Sequence, residues 1–121
     1  GTSGAILDIM LSAAAAHFME QGATWPEAFQ KSVDAASFYG GAKEGYRTML
    51  DALIPAARKA MEGGSTADIV AAANEGANKT ATMTPLAGRS SYLSIDQVNG
   101  TEDPGAVAAA LVLDSLLQSK L

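Results

Sequence analysis

Helix-capping residues and glycines divide this 121-residue chain into segments of helical length. The first segment begins at Ser3 and ends before Gly22, and the second begins at Thr24 and ends at Gly40. Side-chain oxygens at helix starts accept hydrogen bonds from unpaired backbone N–H groups, whereas glycine is common just after helix ends. No segment shows the alternating apolar and polar pattern of a β-strand. The sequence therefore predicts an all-α fold.

The remaining three segments have the same kind of boundaries. The third begins near Thr48 and contains Pro55, which should kink it because proline lacks the amide hydrogen that a helix uses. Ser65 or Thr66 begins the fourth segment, which is rich in alanine and therefore suited to close helix contacts. Asp103-Pro104-Gly105 has the form of a fifth helix start. We expect a single domain, residues 1–121, built as an antiparallel bundle of about five helices.

Apolar residues at helical spacing predict which helix faces are buried. The first segment has only a thin polar edge, so we expect burial on several sides. The predicted buried side chains of the second and third segments are Trp25, Phe29, Val33, Ala36, Leu50, Leu53, Ile54, Ala57 and Met61. Those of the last segment are Val107, Leu111, Val112, Leu116 and Leu117.

Charge and composition exclude several classes of protein. The net charge is −5 and the basic residues are scattered singly, so we expect no nucleic-acid partner. No apolar stretch approaches the roughly 18 residues that a membrane-spanning helix needs. The lack of cysteine rules out disulfides and thiolate metal sites, and together these features favour a cytoplasmic protein.

No group of residues has the pattern of a catalytic or metal centre. His17 is the only histidine, and its apolar surroundings favour a packed position over a catalytic one. The acidic residues are dispersed along the chain. We therefore assign no catalytic residue and no metal ligand to this chain.

Several short motifs at helix starts and in loops have both a functional and an ordinary interpretation. Gly1-Thr2-Ser3-Gly4 leads into a helix N-terminus, which can bind phosphate, although such turns are more often simple caps. Met49 can pack against a flat ring such as a nucleobase, or belong to the core. Arg89, which small residues flank, can bind phosphate or form a surface ion pair. Asp103-Pro104-Gly105 alone indicates only a helix start.

Taken in order, these motifs resemble the nucleotide-binding domain of dihydroxyacetone kinases over nearly the whole chain. The matching stretches are Gly-Thr-Ser-Gly-Ala at 1–5, Arg-Thr-Met-Leu-Asp-Ala-Leu-Ile-Pro at 47–55, Gly-Arg-Ser-Ser-Tyr at 88–92 and Asp-Pro-Gly-Ala at 103–106. In that family the domain is either a separate DhaL-type subunit or the C-terminal domain of a single-chain kinase. The resemblance implies a helical barrel closed around ATP or ADP, of which this chain would form an incomplete part.

The resemblance also implies a nucleotide site built from helix ends and one loop. The implied residues are Thr2 and Ser3 for the phosphates, Gly40 for the pocket lining, Met49 for the adenine with Thr48 and Leu50 beside it, Arg89 for the nucleotide, and Asp103, Pro104 and Gly105 for the rim.

Two departures from the family pattern affect what we expect. The family carries its Mg²⁺-binding aspartates upstream of the Gly-Thr-Ser-Gly turn, and this chain lacks that segment and the opening helices of the barrel. We therefore expect little or no catalysis by this chain alone, and an exposed apolar surface that favours self-association. In addition, Tyr46 stands where the family usually has aspartate, which either alters the pocket edge or marks a lineage.

The resemblance leaves three functions open, beside a purely structural bundle. The first is the nucleotide-binding part of a kinase that phosphorylates dihydroxyacetone held by a histidine of a DhaK-type domain or subunit. The second is the same part of a bifunctional enzyme that also cleaves FAD to a cyclic flavin phosphate. The third is a DhaL-type subunit that retains ADP, is rephosphorylated by a phosphotransferase-system partner, and binds a regulator.

Overall fold

A computed structural model describes residues 2–84 and 100–118, and it places five α-helices in them. They are α1 (Thr2–Phe18), α2 (Trp25–Gly40), α3 (Leu50–Met61), α4 (Thr66–Lys79) and α5 (Pro104–Leu117), with a 3₁₀ turn at Thr80–Thr82 after α4. The described residues contain no strand. The all-α fold is confirmed, whereas a single domain spanning residues 1–121 stays a prediction.

The caps predicted at Thr24, Ser65 and Asp103 set the starts of α2, α4 and α5. The predicted cap Ser3 instead lies inside α1, and α3 begins at Leu50 after Met49, which makes no side-chain cap bond. Thr24 caps α2, its hydroxyl oxygen accepting from the Glu27 amide at 3.5 Å. Ser65 and Asp68 form a reciprocal capping box at the start of α4, with both bonds at 3.1 Å. Gly41 ends α2 in the left-handed conformation, with φ of 73°. Local chemistry alone is therefore enough to position these helix ends.

Successive helices run antiparallel. His17, at the end of α1, lies near Glu27 at the start of α2, and Gly40, at the end of α2, lies near Ile6 at the start of α1. The same alternation continues along the chain, so α1, α3 and α5 begin at one end of the bundle, where α2 and α4 finish. We call this the cap end. Every described residue of the implied nucleotide site lies at or beside it.

The core consists of two clusters. The first joins α3, α4 and α5 almost entirely through small side chains: Ala52, Ala56, Ala60, Ile69, Ala73, Ala77, Ala106 and Ala110. The second joins α2 to α3: Val33, Ala36, Ala42, Leu50, Leu53 and Ala57. Because alanine projects only a methyl group, the helices of the first cluster can pack closely, as the alanine-rich sequence of α4 predicts.

The expectation that α1 is buried on several sides is wrong. Leu7, Leu11 and Phe18 are each more than half exposed. The reason is that, among residues 2–84 and 100–118, α1 packs extensively only against α2, and Ile6 and Met10 are its residues that reach the second core cluster. An apolar sequence predicts that a face can be buried, but burial also requires a neighbour.

The predicted buried face of α5 is likewise displaced in part. In α5 the buried residues are Ala106 and Ala110, while Leu111, Val112 and Leu116 are exposed. The predicted residues Val107 and Leu117 do pack against the first core cluster, half-buried beside these alanines. The prediction that Leu111, Val112 and Leu116 are buried is therefore wrong. Trp25 and Met61, expected to be buried, are also exposed at the ends of their helices.

Within the described part of the chain, none of the helices combines the length and apolarity required to cross a bilayer.

Candidate functional site

The cap end brings the starts of α3 and α5 into contact. A Cβ placed on Gly105 would lie 3.6 Å from the Cβ of Met49 and 3.7 Å from its backbone nitrogen. Met49 is partly exposed, and Pro104 and Gly105 are exposed. Two of the implied nucleotide-binding groups, which are distant in sequence, therefore form one continuous surface.

The start of α3 is held by the buried carboxylate of Asp51, which is 1 % exposed. Its two oxygens accept from the Gly45 amide at 2.5 Å and from the Thr48 amide at 2.9 Å. The Thr48 hydroxyl in turn accepts from the Leu50 amide at 3.1 Å. These bonds give the amides of Gly45, Thr48 and Leu50 partners within the protein, and the side chain of Met49 remains partly exposed. Leu50 is buried in the core, so its side chain does not reach this surface.

Asp51 is not among the residues that the sequence motifs imply for the site. The spacing from Thr48 to Asp51 is that of a capping box, with a hydroxyl residue followed three positions later by an acid. That signal was available, and it explains why Asp51 binds the amide of Thr48.

A buried ion pair lies beneath Met49 and Gly105. Arg47 Nη1 lies 3.4 Å from Asp103 Oδ1, with side-chain exposures of 2 % and 8 %. Arg47 Nη2 also donates to the Thr101 carbonyl at 2.7 Å. The other oxygen of Asp103 caps α5 by accepting from the Ala106 amide at 2.9 Å. The Asp103 carboxylate therefore faces into the protein, and a rim contact from this residue stays a prediction.

A third helix end joins this arrangement through Thr80, which is fully buried. The Asp103 amide donates to the Thr80 hydroxyl at 2.7 Å, and that hydroxyl donates to the Ala77 carbonyl at 2.6 Å. The end of α4 is thereby fastened to the start of α5. Neither Arg47 nor Thr80 was identified from the sequence as a site residue, because single residues carry no signal of distant partners.

The other implied residues are placed as follows. Thr2 and Ser3 are the first residues of α1 and so lie at the cap end. Gly40 is the last residue of α2 and is exposed at the same end. Arg89 lies outside the described residues. These helix ends thus lie at the same end of the bundle, while the role of each residue toward a ligand stays a prediction.

With this geometry established, comparison with known proteins defines the family. Residues 1–118 match the DAK2 domain. This chain belongs to the DAK2 domain family. That membership confirms the resemblance seen in the sequence motifs.

Named relatives of this DAK2 domain include several kinases. The dihydroxyacetone kinase of Citrobacter freundii is 40 % identical over 123 residues, a match that covers all of this chain and 22 % of that protein. Dihydroxyacetone kinase 2 of Saccharomyces cerevisiae is 36 % identical over 129 residues, covering 97 % and 22 %. Human triokinase/FMN cyclase is 36 % identical over 128 residues, covering 98 % and 22 %. The chain therefore spans about a fifth of the length of these relatives.

Solved structures match the same fold. The native crystal structure of the C. freundii dihydroxyacetone kinase superposes with a TM-score of 0.77 and 35 % identity, covering 99 % of this chain and 21 % of that one. The crystal structure of that kinase in complex with AMP-PNP and Mg²⁺ superposes equally well, with a TM-score of 0.77. The helical fold implied by the sequence motifs is thus confirmed at the level of three-dimensional structure.

The DAK2 domain also has a groove of about 510 Å³ between α3 and α4. Its rim carries paired charges, including Arg58 with Glu44 at 2.9 Å and Lys59 with Glu62 at 3.4 Å. None of the described residues implied for the nucleotide site lines this groove. The groove is therefore distinct from the contact between Met49 and Gly105.

His17 lies at the opposite end of the DAK2 domain from the cap end. It is 6 % exposed, with Nδ1 3.4 Å from a Glu20 oxygen and Nε2 3.3 Å from a Glu27 oxygen. The ring nitrogens face opposite directions, so the two carboxylates do not converge on one point. His17 is thus a packed residue, as expected. In residues 2–84 and 100–118, histidine and acidic side chains form no group of three able to hold a metal ion.

Proposed function

We propose that this chain is the nucleotide-binding part of a dihydroxyacetone kinase and holds ATP or ADP at the cap end. The observation that carries the proposal is the contact between Met49 and Gly105, which joins two separate sequence motifs into one surface. The relative whose structure was solved with AMP-PNP and Mg²⁺ supports the same ligand class.

In this proposal the helix starts have different tasks. Met49 packs its polarizable side chain on the adenine, since it is partly exposed beside Gly105. The start of α1, with Thr2 and Ser3, takes the phosphates, since a helix N-terminus favours negative charge. Gly40 lines the pocket at the end of α2, and Arg89 meets the nucleotide from its loop.

Magnesium would neutralise phosphate charge when bound, as phosphoryl transfer requires. The acids of the described residues do not gather into a metal-binding group, so we assign none of them to the ion and no reaction step to it. The chain's own contribution is to bind and orient the nucleotide. Dihydroxyacetone would be held by a DhaK-type domain or subunit. The relatives are long enough to contain such a domain, because this chain spans only about a fifth of their length. We place the kinase in the cytoplasm.

A second candidate function follows from the human relative, whose name includes FMN cyclase. In that version the same surface binds the adenine nucleotide portion of FAD. Assaying the protein that contains this domain for release of a cyclic flavin phosphate from FAD distinguishes it from a kinase that acts only on dihydroxyacetone.

Calorimetric titration of the chain with ADP and ATP, each with and without Mg²⁺, tests the proposal. We expect both nucleotides to bind, with little response to Mg²⁺. A folded chain that binds neither nucleotide would contradict the proposal, and strong Mg²⁺ dependence would place metal ligands within these 121 residues. ADP that remains bound through purification and does not exchange with ATP would instead favour the subunit that a phosphotransferase-system partner rephosphorylates.

A further inference from the structure

A buried polar network connects three helix ends beneath the contact between Met49 and Gly105. Its members are Arg47, Thr101, Asp103 and Thr80. Counted as whole residues, backbone included, Arg47, Asp103 and Thr80 are at most 5 % exposed. Removing a charged pair and a hydroxyl from water is costly unless each group gains well-placed partners, so such a network fixes the relative positions of the elements it joins.

We infer that Arg47 is a positioning residue for the nucleotide site, an inference that rests on the proposed function. Arg47 adopts a left-handed backbone conformation, with φ of 64°, two residues before Met49. Its neighbours Gly45 and Thr48 are both bound to the Asp51 carboxylate. The backbone at Arg47 is thus fixed to α3, while its guanidinium is fixed to the segment that begins α5.

The chemistry of the guanidinium suits this task. One nitrogen faces Asp103 and another donates to the Thr101 carbonyl, so the planar group binds two acceptors on one segment. A lysine ammonium is a point charge without this fork geometry, and it would hold the segment less firmly. The position of Asp103 relative to α3 therefore depends on arginine at position 47.

The position of Asp103 in turn determines how Gly105 lies against Met49. A Cβ at position 105 would lie 3.1 Å from Asp103 Oδ2 and 3.6 Å from the Met49 Cβ, so Gly105 fits between them with little free space. The same Asp103 oxygen caps α5 through the Ala106 amide. A shift of this carboxylate would move the start of α5 against Met49, although Arg47 need not touch the nucleotide.

Substitution of Arg47 by lysine and by methionine tests the inference, with ADP affinity and melting temperature measured on the full chain. Arg58→Met is the matched control, because Arg58 forms its ion pair with Glu44 at the surface, where it is 57 % exposed. We expect Arg47→Met to weaken ADP binding about tenfold, and the ADP affinity of Arg47→Lys to lie between those of Arg47→Met and the wild type. The ADP affinity of Arg58→Met should stay within about twofold of the wild-type value. Affinity is compared well below the melting temperature of every variant.

Thr80 provides a second test if Arg47→Met fails to fold. Thr80→Val keeps the side-chain shape but loses the oxygen that accepts from the Asp103 amide, whereas Thr80→Ser keeps that oxygen. We expect Thr80→Val to bind ADP more weakly than the wild type and Thr80→Ser to keep the wild-type ADP affinity.

The NMR resonance of the Met49 methyl group, assigned with the variant Met49→Leu, reports the surroundings of Met49 in the absence of nucleotide. We expect it to shift in Arg47→Lys and Thr80→Val and to stay in place in Arg58→Met. The inference would be overturned if the Arg47 and Thr80→Val variants melted at lower temperature but kept the wild-type ADP affinity and the wild-type Met49 resonance. Arg47 would then have a merely structural role. If the wild-type chain binds no ADP, the proposed function fails, and the Met49 resonance alone decides whether Arg47 positions this surface.

Discussion

The backbone carbonyl of Asp51 lies against Gly76, so closely that a Cβ at position 76 would overlap the carbonyl oxygen. This carbonyl is the one that Pro55, four residues later, cannot bond, because proline lacks an amide hydrogen. Pro55 lies inside α3 without ending it, and its ring also approaches Gly76. Proline in α3 and glycine in α4 therefore act together at the closest approach of the two helices.

Gly76→Ala should destabilise the fold by about 2 kcal/mol or more, because the added methyl group has no room and the helices must separate. Urea unfolding followed by circular dichroism measures the effect. Gly4→Ala is the control: it is also helical, and a Cβ there would meet nothing within 4 Å. That variant should be unchanged or more stable by up to about 1 kcal/mol. Equal losses in both variants would contradict the close approach of α3 and α4.

Asp51→Asn should also destabilise the fold, by about 2 kcal/mol, since an amide keeps only one acceptor oxygen for two N–H donors. The affected donors are the amides of Gly45 and Thr48. Asp34→Asn serves as the surface control, because Asp34 makes its hydrogen bond with Gln30 in an exposed position. Its unfolding curve should hardly move. If the two variants unfold alike, Asp51 does not hold the start of α3.

Met49→Asp should weaken ADP binding by about tenfold or more, because the carboxylate would lose water when it meets the adenine. Met49 also packs against the second core cluster, so the stability of the variant is measured separately by urea unfolding, and ADP affinity is compared where the variant is folded. Met61→Asp, at the other end of the same helix, is the control. Calorimetry should find its ADP affinity unchanged. Normal binding by Met49→Asp would remove Met49 from the adenine site.

The outward apolar faces of α1 and α5 predict that the isolated chain self-associates. Leu11 and Leu111 are 62 % and 60 % exposed on these faces. Replacing both with lysine should lower the weight-average mass measured by sedimentation equilibrium. Lysine at the neighbouring exposed positions Ser12 and Ala108 adds the same charge without removing a leucine. A wild-type chain that stays monomeric at high concentration would show that these faces do not drive association.

Helix boundaries could be read from the sequence because caps act locally. Ser65 with Asp68, and Asp103 with the amide of Ala106, lie three residues apart, so the chemistry that begins each helix is contained in one turn. The order of the motifs also carried the family resemblance, which the DAK2 domain match confirms. The family match does not test the roles of the ten implied site residues, which stay predictions.

Contacts between helices were decided only by the tertiary structure. Arg47 and Asp103 lie 56 residues apart, and nothing in either local sequence names the other as its partner. The buried faces of α1 and α5 were wrongly predicted for the same reason: their sequences are apolar on several sides, and the neighbours that are present select which side is covered. The sequence determined where the helices begin and end through bonds within single turns. The packing of one helix on another decided which side chains meet, because those contacts depend on the positions of the whole chain.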